Sequence, residues 1–408
     1  MGRFSFESEA VGNTTALSQN TSPKTVNEAT IALRNFTWVG FAAHAATSFK
    51  VSGGRHACSS SNRHRRTGVW LDARAQAFAR RDPSGASHLK AAVYRRYGPP
   101  AVIRIEDVPT PDPGRNELLV RVRAASVSAG DARLRSAHVP PGFGLMMRLA
   151  FGITGPRKPI LGWDFAGEVA KVGSSVSGFA PGDRVFGVRM GSHAEYVTVS
   201  TNSVAAMPPS LTFEDATALV FGGMTSLIYL RDKARIQPGE RVLINGAAGA
   251  VGTAAVQLAK HFGAVVTGVC SASNAELVRS LGAARVIDYA KQDFTQSGET
   301  FDIILDAIGN CTFARCERAL ASGGRLLMVV ASLGQTLGAL VRPSRAGRKV
   351  LAGVGSTRAE DLRFLGSLAE SGAFKPVIDR TYPFARITDA HAQVDTGHKK
   401  GNVVIALP

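Results

Sequence analysis

Cysteine is scarce: Cys58, Cys270, Cys311 and Cys316 are all that 408 residues contain. Their spacing gives no CxxC pair and no disulfide framework, which excludes a cross-linked scaffold and agrees with a reducing cytoplasm. Long apolar runs are missing too. Stretches such as residues 242–244 and 326–331 fall far short of the ~20 residues that cross a bilayer, so no membrane span is expected and both read as strands. Acidic residues are outnumbered, 31 Asp and Glu against 48 Lys and Arg, for a formal charge of +17 and a pI near 10.3. Such a balance admits a nucleic-acid or membrane-surface partner through counterion release and long-range attraction. The positive residues are scattered, however, and aromatics, 7% of the chain, interleave no basic stripe. The dense cluster Arg63-His64-Arg65-Arg66 lies in the N-terminal segment. A polyphosphate ligand would itself favour a basic surface, so nucleic acid is not the expected partner.

What is present suffices for two cores, with 45% apolar and 19% charged residues. Residues 1–88 are rich in Ser, Thr, Ala, Arg and His and lack strand alternation. They read as a disordered extension, as a targeting segment, or as an artefact of the assigned start, since Leu89-Lys90-Ala91-Ala92-Val93-Tyr94 resembles the opening of a domain. Residues 89–212 form short strands punctuated by Gly98-Pro99-Pro100, Pro111-Asp112-Pro113-Gly114 and Ala180-Pro181-Gly182-Asp183, the texture of a β-rich domain. An insertion between Pro140 and Lys158 carries Leu145-Met146-Met147-Arg148-Leu149, expected as a short amphipathic helix packed over a pocket. Residues 213–355 alternate strands and helices, with strands at 241–245, 265–270, 285–288, 302–306 and 325–330 and helices at 250–262, 275–281 and 313–321. That order predicts a parallel sheet covered on both faces, a doubly wound α/β fold. Residues 356–408, with a last strand at 402–407, are expected to return to the first domain.

Strand Val242-Leu243-Ile244 runs into Gly246-Ala247-Ala248-Gly249-Ala250-Val251-Gly252 and then a helix. A glycine turn in that setting is the Rossmann fingerprint of a dinucleotide site. Ala247, Ala248, Gly249, Ala250, Val251 and Gly252 are the candidate pyrophosphate cradle: Gly249 admits the phosphates, Gly252 lets helix and strand touch, and the helix N-terminus faces the anion. Ala247 stands where GxGxxG has its first glycine, and a turn serving only helix packing is the alternative. An acid ~20 residues on would bind the ribose of NAD. Instead Ser271, Ser273 and Asn274 follow the second strand, groups that accept a 2′-phosphate without repelling it. NADPH is therefore expected, with NADH possible. Gly309 and Asn310 fall at the carboxyl edge of the next strand, the usual ligand side.

Five segments together resemble the medium-chain dehydrogenase/reductase superfamily and its quinone oxidoreductase-like branch. They are Gly162-Trp163-Asp164-Phe165-Ala166-Gly167-Glu168-Val169, Phe179 through Gly187, Phe221-Gly222-Gly223-Met224-Thr225-Ser226, the glycine turn and Val286-Ile287-Asp288-Tyr289. The resemblance spans residues 90–408 and implies a GroES-like catalytic domain beside a Rossmann domain. Zinc-dependent members hold metal with a Cys, a His and usually a second Cys; here Ser126-Val127-Ser128-Ala129-Gly130-Asp131 and Gly162-Trp163-Asp164 occupy those regions. No three suitable ligands assemble from them, so a metal-free reaction is expected, and Cys311 and Cys316 read as structural.

Without a Lewis acid an alkoxide is hard to stabilise, which points away from simple alcohol oxidation and towards quinones or α,β-unsaturated carbonyls as acceptors. The resemblance places Asp131 and Thr225 beside the nicotinamide, although Asp131 also fits a helix cap. Tyr289 either stacks near the adenosine or fills a crevice. His193 and His391 read as surface or core residues. A metal-free alcohol or aldehyde oxidoreductase, and a cofactor sensor with little turnover, are the competing functions. The strand-like residues 350–354, where relatives pair their sheets, hint at a homodimer.

Overall fold

The computed structural model describes residues 80–81, 87–341, 345–353 and 355–408. Most of the N-terminal segment, with Cys58 and the Arg63 cluster, therefore lies outside the described residues. Its edge does not. Strand β1 (Arg80–Arg81) pairs with the start of β2 (Ser87–Tyr94), and β2 pairs in turn with β3 (Ile103–Pro109). The structured chain thus begins before Leu89, which sits inside a strand at 2% exposure.

The second body is a mostly antiparallel sheet. Its strands are β4 (Glu117–Val127), β5 (Asp164–Val172), β6 (Arg184–Val188), β7 (Tyr196–Ser200) and β8 (Val204–Ala206), with helices α1 (Ala129–Ser136) and α2 (Gly144–Phe151) between β4 and β5. Helix α3 (Phe213–Leu227) follows and continues as a π-helical turn, Ile228–Lys233. Then come β9 (Arg241–Asn245), α4 (Ala250–His261), β10 (Val265–Cys270), α5 (Ala275–Ser280), β11 (Arg285–Asp288), β12 (Phe301–Asp306), α6 (Phe313–Cys316), β13 (Leu320–Met328), α7 (Leu333–Val341) and β14 (Lys349–Ala352). Their strand order is β11-β10-β9-β12-β13-β14, all parallel. After α8 (Ala359–Glu370), strands β15 (Ile378–Pro383) and β16 (Asn402–Ala406), with α9 (Ile387–Asp395) between them, rejoin the mostly antiparallel sheet, β16 running antiparallel to β4.

Side-chain alternation explains why the parallel sheet is covered twice. Val242 and Ile244 enter the core under α3, α4 and α8, whereas Leu243 between them enters a separate core with Ile304 and Leu326. All five are 0% exposed. The helix expected over 313–321 is shorter: α6 stops at Cys316, a 3-10 turn covers Glu317–Ala319, and β13 starts at Leu320. The inserted α2 forms, but the expectation that it packs as a lid holds only for Met147, which is 3% exposed, while Leu145 and Leu149 face outward at 73% and 54%. Val354, part of the strand-like segment at the sheet edge, lies outside the described residues.

Candidate active site

Reversal of strand order between β9 and β12 opens a crevice at the carboxyl edge of the parallel sheet. The glycine turn enters it. Gly246 has φ +84°, a conformation open to glycine, and a Cβ on Gly252 would lie 2.0 Å from the Gly246 carbonyl oxygen. Helix and strand touch there because nothing stands between them. Gly249 is different: a Cβ would meet only the Gly246 oxygen, at 3.7 Å, and the backbone is extended (φ −79°, ψ 176°). Its glycine is not demanded by the protein's own packing. Gly249 is also the N-cap of α4 with no side-chain cap, and no acid sits in the first turn. The first amides of α4 are thus left to an external acceptor, which suits an anion.

Ala247, Ala248, Ala250 and Val251 are all buried, at 0%, 7%, 8% and 9%. The amides of Gly246 and Ala247 both donate to the Val269 carbonyl, and Gly401 donates to the Ala248 carbonyl at 2.8 Å. That last bond ties the turn to the segment returning to the antiparallel sheet. Ala247 tolerates the place of a first glycine because its methyl packs against Gly268 of β10.

Ser271 and Ser273 join hydroxyls at 3.0 Å, and Asn274 Nδ2 donates to Ser271 Oγ at 3.1 Å. The other end of the Asn274 amide, Oδ1, is buried without a partner. A buried polar atom of this kind is ordinarily satisfied by water or by a ligand group. Tyr289 and Ile308, at the ends of β11 and β12, are 59% and 49% exposed and form an apolar rim there. Gly309, with φ +93°, approaches Val330. Its loop is shaped by Asp306, a residue sequence reasoning missed. Asp306 Oδ1 accepts from Asn245 Nδ2 and the amides of Ile308 and Gly309, and Oδ2 accepts from the amide of Cys311. Asn245 Nδ2 also donates to Asn310 Oδ1 at 2.7 Å, so Asn310 is held in place. An acid closing an apolar strand, Ile303-Ile304-Leu305-Asp306, was the available signal. Cys311 and Cys316 are buried at 1% and 0%, and contact with Cys316 together with burial pushes the Cys311 thiol up.

On the catalytic side, Asp131 is 0% exposed. Its Oδ2 accepts from the amide and hydroxyl of Ser128, at 2.9 and 2.6 Å, and its Oδ1 accepts from the Gly162 amide at 2.9 Å. This is a capping box that also clamps the Gly162 loop. Between the two roles open to Asp131, its geometry is that of the cap; both carboxylate oxygens are committed to the protein.

Helix α3 is the wall shared by the two bodies. Ser226 Oγ donates to the Val251 carbonyl, and a Cβ on Gly222 would lie 2.2 Å from the Ala250 oxygen. One stripe of the same helix, Thr217, Phe221 and Thr225, is spaced by whole turns. Thr217 Oγ1 reaches Asp164 at 3.5 Å, and Phe221 faces Gly130 at the start of α1. Thr225 continues that stripe by helical spacing and is half-buried. Asp164, also missed, is 1% exposed and accepts from the amide and hydroxyl of Ser126. Burial pushes its carboxyl up to about 7 against those hydrogen bonds.

Beneath this site His193 and His391 are both fully buried, their rings 5.6 Å apart. His193 Nε2 bonds the Ser126 carbonyl, whereas both nitrogens of His391 lack partners. Burial, then His193, then Arg135 hold the His391 imidazole well below its ordinary range. Among the described residues, no three His, Cys, Asp or Glu side chains are grouped to hold a metal ion.

A parallel sheet with a glycine turn at its switch point, joined to a GroES-like sheet, defines a two-body dinucleotide-binding protein. The chain matches the alcohol dehydrogenase GroES-like domain over residues 114–209 and the zinc-binding dehydrogenase family over residues 281–405. It is 33% identical over 334 residues to 2-methylene-furan-3-one reductase of Solanum lycopersicum, covering 78% of this chain and 79% of that protein. It is 30% identical over 343 residues to the chloroplastic NADPH-dependent alkenal/one oxidoreductase of Arabidopsis thaliana, covering 79% and 81%. The quinone oxidoreductase structure from Coxiella burnetii superposes with a TM-score of 0.70 at 28% identity, over 79% of this chain and 100% of that one. The chain belongs to the medium-chain dehydrogenase/reductase superfamily, in its quinone oxidoreductase-like branch. In the regions where the resemblance implies metal ligands in zinc-dependent members, this chain carries Ser126 to Asp131 and Gly162-Trp163-Asp164, with no Cys or His.

Proposed function

We propose that the protein is an NADPH-dependent oxidoreductase that transfers hydride to quinones or α,β-unsaturated carbonyls without zinc. The reaction consumes NADPH, a proton and the conjugated carbonyl, and yields NADP⁺ and the saturated ketone, or the hydroquinone from a quinone. NADPH supplies the hydride. The observation that carries the reading is an open, uncapped Gly249 at the start of α4 beside α3, which bonds the glycine turn through Ser226 and the Ser126–Asp164 pair through Thr217. Gly249 and the N-terminus of α4 receive the pyrophosphate, with Ala247, Ala248, Ala250, Val251 and Gly252 setting the turn. Ser271, Ser273 and the free end of the Asn274 amide receive the 2′-phosphate. Tyr289 borders the adenosine, and Gly309 and Asn310, held through Asp306, bound the other side of the crevice.

Asp131 acts as a positioning residue that ties the Gly162 loop to the start of α1, and Thr225 borders the nicotinamide. Hydride added to the β-carbon leaves charge spread over a conjugated oxygen, so orientation and a dry wall replace a Lewis acid, and water returns the proton. Cysteine usage supports a reducing compartment such as the cytoplasm; fluorescent tagging of the full chain decides between it and an organelle. Pairing of β14 edges in a homodimer is tested by sedimentation. For the reaction, NADPH oxidation is followed across a panel of quinones and enones with and without chelator. Turnover unaffected by chelator is expected; chelator-sensitive turnover refutes the metal-free reaction, and NADPH binding without turnover refutes the enzyme.

A further inference from the structure

Three large apolar side chains in and just after α2 point into solvent. Leu145 is 73% exposed, Leu149 54% and Ile153 58%. In α2 the buried residue is Met147, so Leu145, Arg148 and Leu149 share the opposite face by helical spacing. The exposure is built in. Tyr97 donates its hydroxyl to the Gly152 carbonyl at 2.8 Å, Arg148 donates to the Ile153 carbonyl at 2.9 Å, and the Arg157 amide donates to Phe151 at 2.7 Å. These bonds fasten the chain on which Ile153 is presented. The N-terminus of α7 joins the same surface: the Leu333 amide donates to the Pro141 carbonyl, and Leu333 packs on Gly142. Leu337, one turn further along α7, is 46% exposed.

Residues 132–163 contain no Asp or Glu. Arg135 is buried on Asp395, and the exposed Lys and Arg of this stretch are Arg148, Arg157 and Lys158. No acid lies in α7 either. Apolar side chains accompanied by cations, on a short helix too small to cross a bilayer, match the interfacial mode of membrane binding: the leucines enter the acyl boundary and the cations meet lipid phosphates.

We propose that the face formed by α2, the loop through Lys158 and the start of α7 docks the protein on an anionic lipid bilayer. Docking stands independently of the proposed reaction. The full chain is co-sedimented with phosphatidylcholine vesicles and with vesicles also containing phosphatidylglycerol. Binding to the anionic vesicles alone, weakened by salt, is expected. Leu145→Asp with Leu149→Asp should weaken it by at least about tenfold, and Arg157→Glu should also weaken it, with thermal midpoint and NADPH turnover on a water-soluble enone unchanged. Absence of binding to anionic vesicles overturns the proposal, as does equal binding by wild type and the double variant. A wild-type dimer that the double variant converts to monomer also overturns it, by assigning the face to a second copy. If the double variant fails to fold, the surface charge variant Arg157→Glu decides by the same readout.

Discussion

The two walls of the crevice are built by different means. The cofactor wall is made of backbone: glycines, a helix N-terminus and strand ends within residues 245–274. The catalytic wall is made of side chains brought from far apart, with Asp164 meeting Ser126 and Thr217, and His193 meeting His391. Changes to the first wall should therefore act through shape at one point. Changes to the second should act through buried charge, and depend on pH.

The largest effect is expected at Gly252. Its Cβ would strike backbone at 2.0 and 2.7 Å, so Gly252→Ala should cost more than ~3 kcal/mol of stability, seen as a large fall in thermal midpoint. Gly249→Val, three residues away, sharpens the contrast. It should leave the fold within about 1 kcal/mol while weakening NADPH binding by roughly a hundredfold, measured by fluorescence titration; intact affinity would remove the turn from the site.

Buried charge in the antiparallel body should answer next. Arg135 is 0% exposed and holds Asp395, itself 37% exposed, with both oxygens at 2.6 Å. Asp395→Ala strands a buried cation and should cost about 3 kcal/mol. Arg135→Met leaves a carboxylate that water can reach, and should cost less. Denaturant titration of both variants checks the order.

Buried charge also sets the pH response. Asp164 is raised from 3.8 to about 7 in the fold. Its contribution is fully present below 3.8 and is lost as pH rises through about 7. Asp164→Asn should flatten the fall in stability between the unfolded value of 3.8 and the folded value of about 7. His391 works in the other direction. Its folded value lies well below 6.5, so its contribution is present above 6.5 and is lost as pH falls; His391→Phe should reduce acid sensitivity in thermal melts. Smallest is the cofactor preference: Ser273→Glu should weaken NADPH by about tenfold, with less effect on NADH.

Legibility followed the same division. The β9 turn and α4 carry their information locally, since Gly246, Gly249 and Gly252 are spaced within one turn after an apolar strand. The parallel sheet was readable for the same reason, through helices and strands each marked by its own period. Asp164, Asp306 and the His193–His391 pair were not, because their roles depend on partners 38 to about 200 residues distant or on loop geometry. Asp131 shows the limit most clearly. Its position three residues after Ser128 allowed either a cap or a pocket group, and only the third hydrogen bond, from Gly162 across 31 residues, distinguishes them. Leu145 and Leu149 marked an amphipathic helix, yet nothing local told which face turns inward.

The reaction is tested most directly by where hydrogen goes. Turnover of an enone with NADPH carrying deuterium at the transferable C4 position should place deuterium on the β-carbon of a saturated ketone. Deuterium on the former carbonyl carbon, with an allylic alcohol as product, would contradict a metal-free conjugate reduction.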